Sequence, residues 1–138
     1  MTSQLAQTFL EMIRRASTDL PADVEAALKR ARRAEQRESA SAGALKILLD
    51  NIAMARETSR PMCQDTGTNT WWITRPARVT EREVVAAVHR ATRRATKLGY
   101  LRPNSVDSLT GRNSGDNIGL AHPVIHVHEH RGKTLTAD

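Results

Sequence analysis

Cysteine, aromatic residues and long apolar runs are all scarce in this sequence. Of 138 residues, 3% are aromatic and one is a cysteine, and no apolar run approaches the length that crosses a bilayer. A single cysteine excludes an intramolecular disulfide, so Cys63 is a buried hydrophobe, a reactive thiol or a metal ligand. The amino terminus lacks the apolar core and cleavage pattern of a signal peptide. A cytoplasmic location is therefore the default expectation.

Positive charge is the main excess in the composition. Lys and Arg number 21 against 15 Asp and Glu, which gives a net charge of +6. That charge suits nucleic acid, an anionic small substrate or an acidic partner subunit. The basic clusters lie in helical patterns that also carry acids, and no aromatic residues alternate with them, unlike in single-strand binders. A small basic nucleic-acid-binding protein is therefore kept only as a minor alternative.

The first part of the chain has the periodicity of helices. Three helices are predicted before residue 60, and the third, over residues 39–57, has an apolar stripe broad enough to be well buried. A strand is predicted over residues 68–74, where Trp71 and Trp72 point to opposite faces and both faces are expected to be covered. Thr80 and Glu83 form a capping box for a further helix, which Gly99 ends.

The last part of the chain has a long polar loop and then strand patterns. Residues 104–119 lack a hydrophobic period and form either an ordered or a mobile loop. Alternation over residues 123–129, followed by Arg131 and Gly132, predicts a strand and a hairpin turn into residues 133–136. We therefore predict one α+β domain over residues 1–138, with amino-terminal helices and a mixed strand/helix region ending in a β-hairpin. Its exposed final strand suggests an incomplete domain.

The residues around Cys63 are the first candidates for chemistry. Gln64, Asp65 and Thr66 follow it directly, and no apolar period runs through the segment, which argues against simple burial. A thiolate nucleophile requires a base, and no histidine is near in sequence. A metal-bound thiolate is consistent with the pattern, but iron–sulfur clusters and structural zinc require several protein ligands.

Two further polar segments allow more than one interpretation. His126, His128 and His130 alternate on one face of the last long strand. They form a metal site, a polar outer face, or a face that awaits partner strands from further sequence. Residues 113–117 are rich in turn-favouring side chains and are either a substrate-contacting loop or a structural turn.

Three segments together resemble a known enzyme family. They are residues 61–68 (PMCQDTGT), residues 101–107 (LRPNSVD) continuing to residue 117, and residues 123–126 (PVIH). In order and spacing they are similar to the class I, iron–sulfur-dependent fumarate hydratases and the alpha-type tartrate dehydratases. The helix before the cysteine, residues 44–58, also resembles that family. The resemblance covers nearly the whole chain.

The resemblance implies a hydro-lyase of small dicarboxylic acids. In the family a [4Fe-4S] cluster is held by three cysteines, and its open fourth iron acts as a Lewis acid on the departing hydroxyl. Cys63 matches the first of these cysteines. Gln64 and Asp65 match substrate-contacting residues, and Asp65 is also the candidate catalytic proton donor or acceptor. Arg102 matches an arginine that binds a substrate carboxylate.

The chain also departs from the family pattern. The other two cluster cysteines are absent, as is a glycine-rich stretch that normally follows. We therefore expect a fragment, a truncated reading frame or half of a split enzyme, with a partner subunit or further carboxyl-terminal sequence completing the site in an oligomer. Alone, it is expected neither to hold an intact cluster nor to turn over substrate. The alternative is an inert remnant that acts only in assembly. The sequence leaves open which dicarboxylic acid is the substrate.

Overall fold

The computed structural model describes residues 2–63, 67–120 and 122–138, which form four helices and one small sheet. The helices are α1 (Thr2–Thr18), α2 (Ala22–Ala34), α3 (Ala40–Thr58) and α4 (Glu81–Leu98). The strands are β1 (Thr70–Pro76), β2 (Val124–His130) and β3 (Thr136–Ala137). The predicted α+β class is confirmed. No helix in the described ranges has both the length and the hydrophobicity needed to cross a membrane.

Helix α4 is the central element of the core. It begins with the predicted capping box, in which the Thr80 hydroxyl accepts the Glu83 N–H at 3.3 Å and the Glu83 carboxylate accepts the Thr80 N–H at 2.9 Å. Ala87, Ala91 and Ala95 on its inner face are at most 1% exposed, and such small side chains let neighbouring elements approach closely. The helix ends, as predicted, at Gly99, whose φ of 78° is left-handed.

The sheet buries one face against α1 and α4. Trp71 and Ile73 of β1 and Ile125 of β2 point toward this core, and the Trp71 ring lies 5.0 Å from the ring of Phe9 on α1. The opposite face is open, because Trp72 is 54% exposed there and its ring stacks on His126 of the neighbouring strand. The expectation that both faces of β1 are covered is therefore wrong for the described part of the chain.

The strand order differs from the predicted carboxyl-terminal β-hairpin. The order is β2-β1-β3, with β2 parallel and β3 antiparallel to β1, so β2 and β3 lie on opposite edges of β1. Asp138 and Trp72 exchange two backbone hydrogen bonds of 3.1 Å on the β3 side. This pairing satisfies the second edge of β1 and packs Leu135 and Ala137 against the core, whereas a β2–β3 hairpin would leave that edge unpaired.

Helices α2 and α3 form a less buried pair beside the core. No residue of α2 is buried, and in α3 only Ile52 and Ala55 are buried. Leu48, which belongs to the predicted buried stripe of α3, is 50% exposed. The prediction that this stripe is well buried is wrong here, because α3 packs mainly on the polar helix α2 rather than on the sheet.

Candidate functional site

The backbone before Cys63 is held by two helices. The Met62 N–H donates to the Ser17 carbonyl at the end of α1 at 3.2 Å, and the Asn51 side chain on α3 donates to the Met62 carbonyl at 2.7 Å. Cys63 itself is exposed, so the interpretation as a buried hydrophobe is wrong. Gln64 and Asp65, the other predicted site residues of this segment, lie outside the described residues.

A cleft of about 390 Å³ opens beside Cys63. Its lining is mainly apolar and comes from α1, the Cys63 segment, the start of β1, residue 101 and the carboxyl end: Met12, Ile13, Ala16, Ser17, Pro61, Met62, Cys63, Asn69, Thr70, Trp71, Leu101 and Asp138. None of these residues is cationic. Any positive charge that an anionic ligand would meet at this cleft must therefore come from residues at its edge.

The structure brings the Cys63 and Arg102 segments together. Leu101, which is 5% exposed, lines the same cleft as Cys63, and Arg102 follows it on the surface. The guanidinium of Arg60 lies where a Cβ at Gly99 would be, so residues 60 and 99 are in direct contact. Two motifs that are about forty residues apart in sequence are therefore neighbours at one side of the domain.

The motif segments meet a second time around a small internal cavity. This cavity of about 10 Å³ is lined by residues that include Gly67, Asn69, Thr92 and Ser105. Within the described part of the chain, the Asn69 side-chain amide nitrogen and the Thr92 hydroxyl are buried without a hydrogen-bond partner. A cavity of this size accommodates about one water molecule.

The loop after Arg102 forms hydrogen bonds with its own polar side chains. The Asp107 carboxylate accepts the N–H groups of Leu109 and Thr110 at 3.0 and 2.7 Å. Hydrogen bonds from the Thr110 backbone and hydroxyl, and then from the Leu109 N–H, lower the pKa of Asp107. These hydrogen bonds are of the kind that an ordered loop requires.

Asp116 attaches the far end of this loop to α4. Its carboxylate accepts the Arg93 side-chain N–H at 3.0 Å. Partial burial raises the pKa of Asp116, but hydrogen bonds from the Ile118 N–H, Arg93 and Ser114 outweigh burial and lower it overall. The loop is therefore anchored electrostatically to the core helix.

The histidine row does not form a metal site in the described residues. His126 stacks on Trp72 with ring centroids 5.3 Å apart, and the His130 ring closes the turn after β2 by contacts with the Gly132 N–H at 3.0 Å and the Thr134 carbonyl at 2.7 Å. No group of three or more His, Cys, Asp or Glu side chains in the described ranges is arranged to hold a metal ion. An exposed polar face agrees with the described residues.

The donor set of this chain does not fit an entire iron–sulfur cluster. Cys63 is the single cysteine of the sequence, and the described residues offer no metal-binding group around it. An iron–sulfur cluster is held by several thiolates. Cys63 is able to supply one of them.

Sequence reasoning missed two polar residues near Arg102 that form several contacts, Asn117 and Ser105. The Asn117 side chain bonds to the backbone of residues 102, 104 and 105, and the Ser105 hydroxyl lies 3.1 Å from His122 Nδ1. The one sequence signal for Asn117 was its position in a segment rich in turn-favouring residues. Asparagine tolerates the left-handed backbone that such turns use. No local pattern predicts the Ser105–His122 pair, because the two residues meet only through tertiary folding.

Comparison with known proteins gives concordant matches. Residues 6–137 match the family model described as Fumarate hydratase (Fumerase). The chain is 42% identical over 122 residues to a protein named putative fumarate hydratase class I from Geobacillus stearothermophilus, covering 88% of this chain. It is 32% identical over 127 residues to a putative L(+)-tartrate dehydratase subunit alpha from Methanocaldococcus jannaschii, covering 90% of this chain. The matched regions span 24% and 44% of those relatives.

Proposed function

Because the chain belongs to the fumarate hydratase (Fumerase) family, we propose that it forms part of a hydro-lyase that reversibly hydrates fumarate or dehydrates tartrate. The observation that carries this proposal is the adjacency of the Cys63 and Arg102 segments at one cleft. The Cys63 thiolate and the guanidinium of Arg102 are then available within one surface region, and Asp65 is the proposed acid–base group. A cytoplasmic location accompanies the proposal as a prediction.

The proposed roles follow from the chemistry of each side chain. Arg102, exposed at the edge of the cleft, binds one substrate carboxylate through paired N–H donors in the plane of its guanidinium. Asp65 gives or takes the proton of the water that leaves or adds, and Gln64 contacts the substrate through its amide. The apolar lining of the cleft limits the access of bulk water to the carbon chain of the substrate.

The iron–sulfur part of the proposal requires polypeptide outside this sequence. Cys63 supplies one thiolate to a [4Fe-4S] cluster, and the other ligands come from a partner subunit or from sequence like that in the uncovered parts of the relatives. The same polypeptide would provide further contacts to the dicarboxylate. The active species we propose is therefore an assembly in which this chain contributes one wall of the site.

A second candidate function is an inert chain that acts only in assembly. The single cysteine favours it for the isolated chain, since one thiolate does not retain a cluster. The two functions differ in what happens when Arg102 is changed: an assembly role does not need its charge.

The test compares two exposed arginines of the same region. The tagged chain is purified without oxygen from its native cells, with the polypeptides that accompany it, and assayed for fumarate hydration and tartrate dehydration. We expect Arg102→Ala to lower kcat/KM by at least about tenfold, the value of a lost charged hydrogen bond, and Arg112→Ala to stay near the wild type. Equal activity of Arg102→Ala and wild type would contradict the catalytic proposal, and an intact assembly with no hydro-lyase activity would favour the inert alternative.

A second measurement examines the isolated chain. It is reconstituted anaerobically with iron and sulfide, and its iron content, cluster absorbance and fumarate hydration are compared with those of Cys63→Ala. We expect incomplete, unstable iron binding that depends on Cys63, and no turnover. A stable four-iron cluster with turnover in this chain alone would overturn the requirement for outside ligands.

A further inference from the structure

Asn117 makes four hydrogen bonds with its side-chain amide. Its Oδ1 accepts the backbone N–H groups of Asn104 at 2.8 Å and Ser105 at 3.1 Å. Its Nδ2 donates to the Arg102 carbonyl at 2.7 Å and to the Thr96 hydroxyl at 3.0 Å. Two donors and two lone pairs are the full capacity of an asparagine amide, so every bonding position of this side chain is used.

These bonds hold the backbone on both sides of the Arg102–Asn104 peptide segment. That segment belongs to no helix or strand, so it has no regular backbone partners. The Asn117 side chain replaces them, and it does so from a left-handed backbone with φ of 60°, which asparagine adopts more readily than most residues.

The fourth bond connects this segment to the core. The Thr96 hydroxyl, which accepts from Asn117, also donates to the Thr92 carbonyl at 2.9 Å within α4. Thr92 is 1% exposed, so this bond connects the segment to a buried part of α4. The backbone position of Arg102 is thereby set relative to the most buried helix of the domain.

A second side chain supports the same segment from the loop. Asn113 donates to the Pro103 carbonyl at 2.6 Å, and the Ser114 N–H donates to the Ser105 carbonyl at 3.1 Å. The loop therefore surrounds the backbone of Arg102, although its sequence is typical of a surface turn.

We propose that Asn117 is a positioning residue for Arg102, which it holds at the angle needed to receive a dicarboxylate. This inference rests on the proposed function, because it assumes that Arg102 binds the substrate carboxylate. A two-point guanidinium–carboxylate contact is sensitive to the orientation of the arginine, so a loosened backbone lowers affinity without removing the charge.

Three changes at this position separate its contributions. Asn117→Gly keeps the left-handed backbone and removes all four bonds. Asn117→Asp keeps both acceptor bonds but turns an oxygen toward the Arg102 carbonyl. Glu38→Gly is the matched control, because Glu38 also has a left-handed backbone, with φ of 70°, and lies in the turn between α2 and α3.

The first readout is amide hydrogen exchange of the purified chain. We expect Asn117→Gly to accelerate exchange at the Asn104 and Ser105 amides by at least about tenfold, as expected when a net hydrogen bond is lost. Asn117→Asp should retain most of their protection, and Glu38→Gly should leave both amides unchanged. Unchanged exchange in Asn117→Gly would overturn the positioning role.

The second readout is fumarate binding by calorimetry, with the anaerobically purified preparation described above. We expect the Kd to rise about tenfold in Asn117→Gly and at least as much in Arg102→Ala. If Arg102→Ala weakens binding and Asn117→Gly does not, the inference about Asn117 is overturned and the proposed function stands. If Arg102→Ala binds fumarate like the wild type, the role of Arg102 fails and the positioning inference fails with it.

Discussion

Adjacent tryptophans on β1 offer a test of which face of the sheet is the core. Trp71 is 4% exposed and packs against Phe9, whereas Trp72 is 54% exposed on the opposite face. The same substitution at neighbouring positions therefore changes the same atoms in two environments. We expect Trp71→Ala to destabilise the chain strongly and Trp72→Ala only moderately.

The magnitudes follow from the burial of each side chain. Complete burial of a tryptophan removes roughly 150–250 Å² from water, and truncating a buried aromatic residue to alanine costs about 3–5 kcal/mol. The Trp71 indole N–H has no hydrogen-bond partner in the described part of the chain, which places its cost toward the lower end. Trp72 keeps less than half of that burial, so its loss should cost about 1–2 kcal/mol.

Urea unfolding followed by far-ultraviolet circular dichroism measures the difference, because tryptophan fluorescence changes with the substitution itself. Trp71→Leu is included because it keeps apolar volume and should remain folded where alanine does not. A free energy of unfolding that falls equally in both alanine variants, or falls more in Trp72→Ala, would refute the assignment of the core face.

Three smaller predictions concern α4 and α1. Thr80→Ala removes the capping hydroxyl and should lower the free energy of unfolding by about 1 kcal/mol, measured by thermal unfolding against Thr80→Ser, which should retain it. Thr92→Val removes a buried hydroxyl without a described partner and should raise stability by about 0.5–1 kcal/mol; a loss instead would indicate a bound water in the adjacent cavity. Hydrogen bonds from Arg14 and then Arg15 lower the pKa of Glu11 from 4.5 to about 2, so this carboxylate stabilises the fold above pH 4.5 and the contribution is lost as the pH falls toward 2. Glu11 is 43% exposed, so its contribution is small. In urea unfolding, the free energy of unfolding should fall between pH 6 and pH 3 by about 0.5 kcal/mol less in Glu11→Gln than in the wild type. An equal fall in both proteins would contradict the assignment.

Local sequence signals predicted a helix or strand well where the residues at its ends specify where it begins and stops. Helix α4 is the best example, since Thr80, Glu83 and Gly99 specify its ends by hydrogen bonding and backbone preference within a few residues. The apolar stripe of α3 was a weaker guide, because a periodic stripe specifies a face but not which element will cover it.

The candidate site was predictable only in part. The residue types around Cys63 and Arg102 indicated chemistry, and their resemblance to one family agreed with the later comparisons. The bonds of Asn117 to residues 102–105 were not predictable, because a side chain that replaces backbone partners leaves no periodic pattern. The roles of Gln64, Asp65 and Arg102 stay predictions.

The sequence by itself determined the helices, the two long strands and the segments that carry chemistry, because caps, periodicity and breakers act over a few residues. Only the tertiary structure decided that β3 pairs with β1 rather than with β2, since edge pairing depends on which backbone groups remain unsatisfied. It also decided that Cys63 and Leu101 share one cleft and that Trp72 lies on an open face. Those features depend on contacts between residues far apart in the chain, which local preferences do not encode.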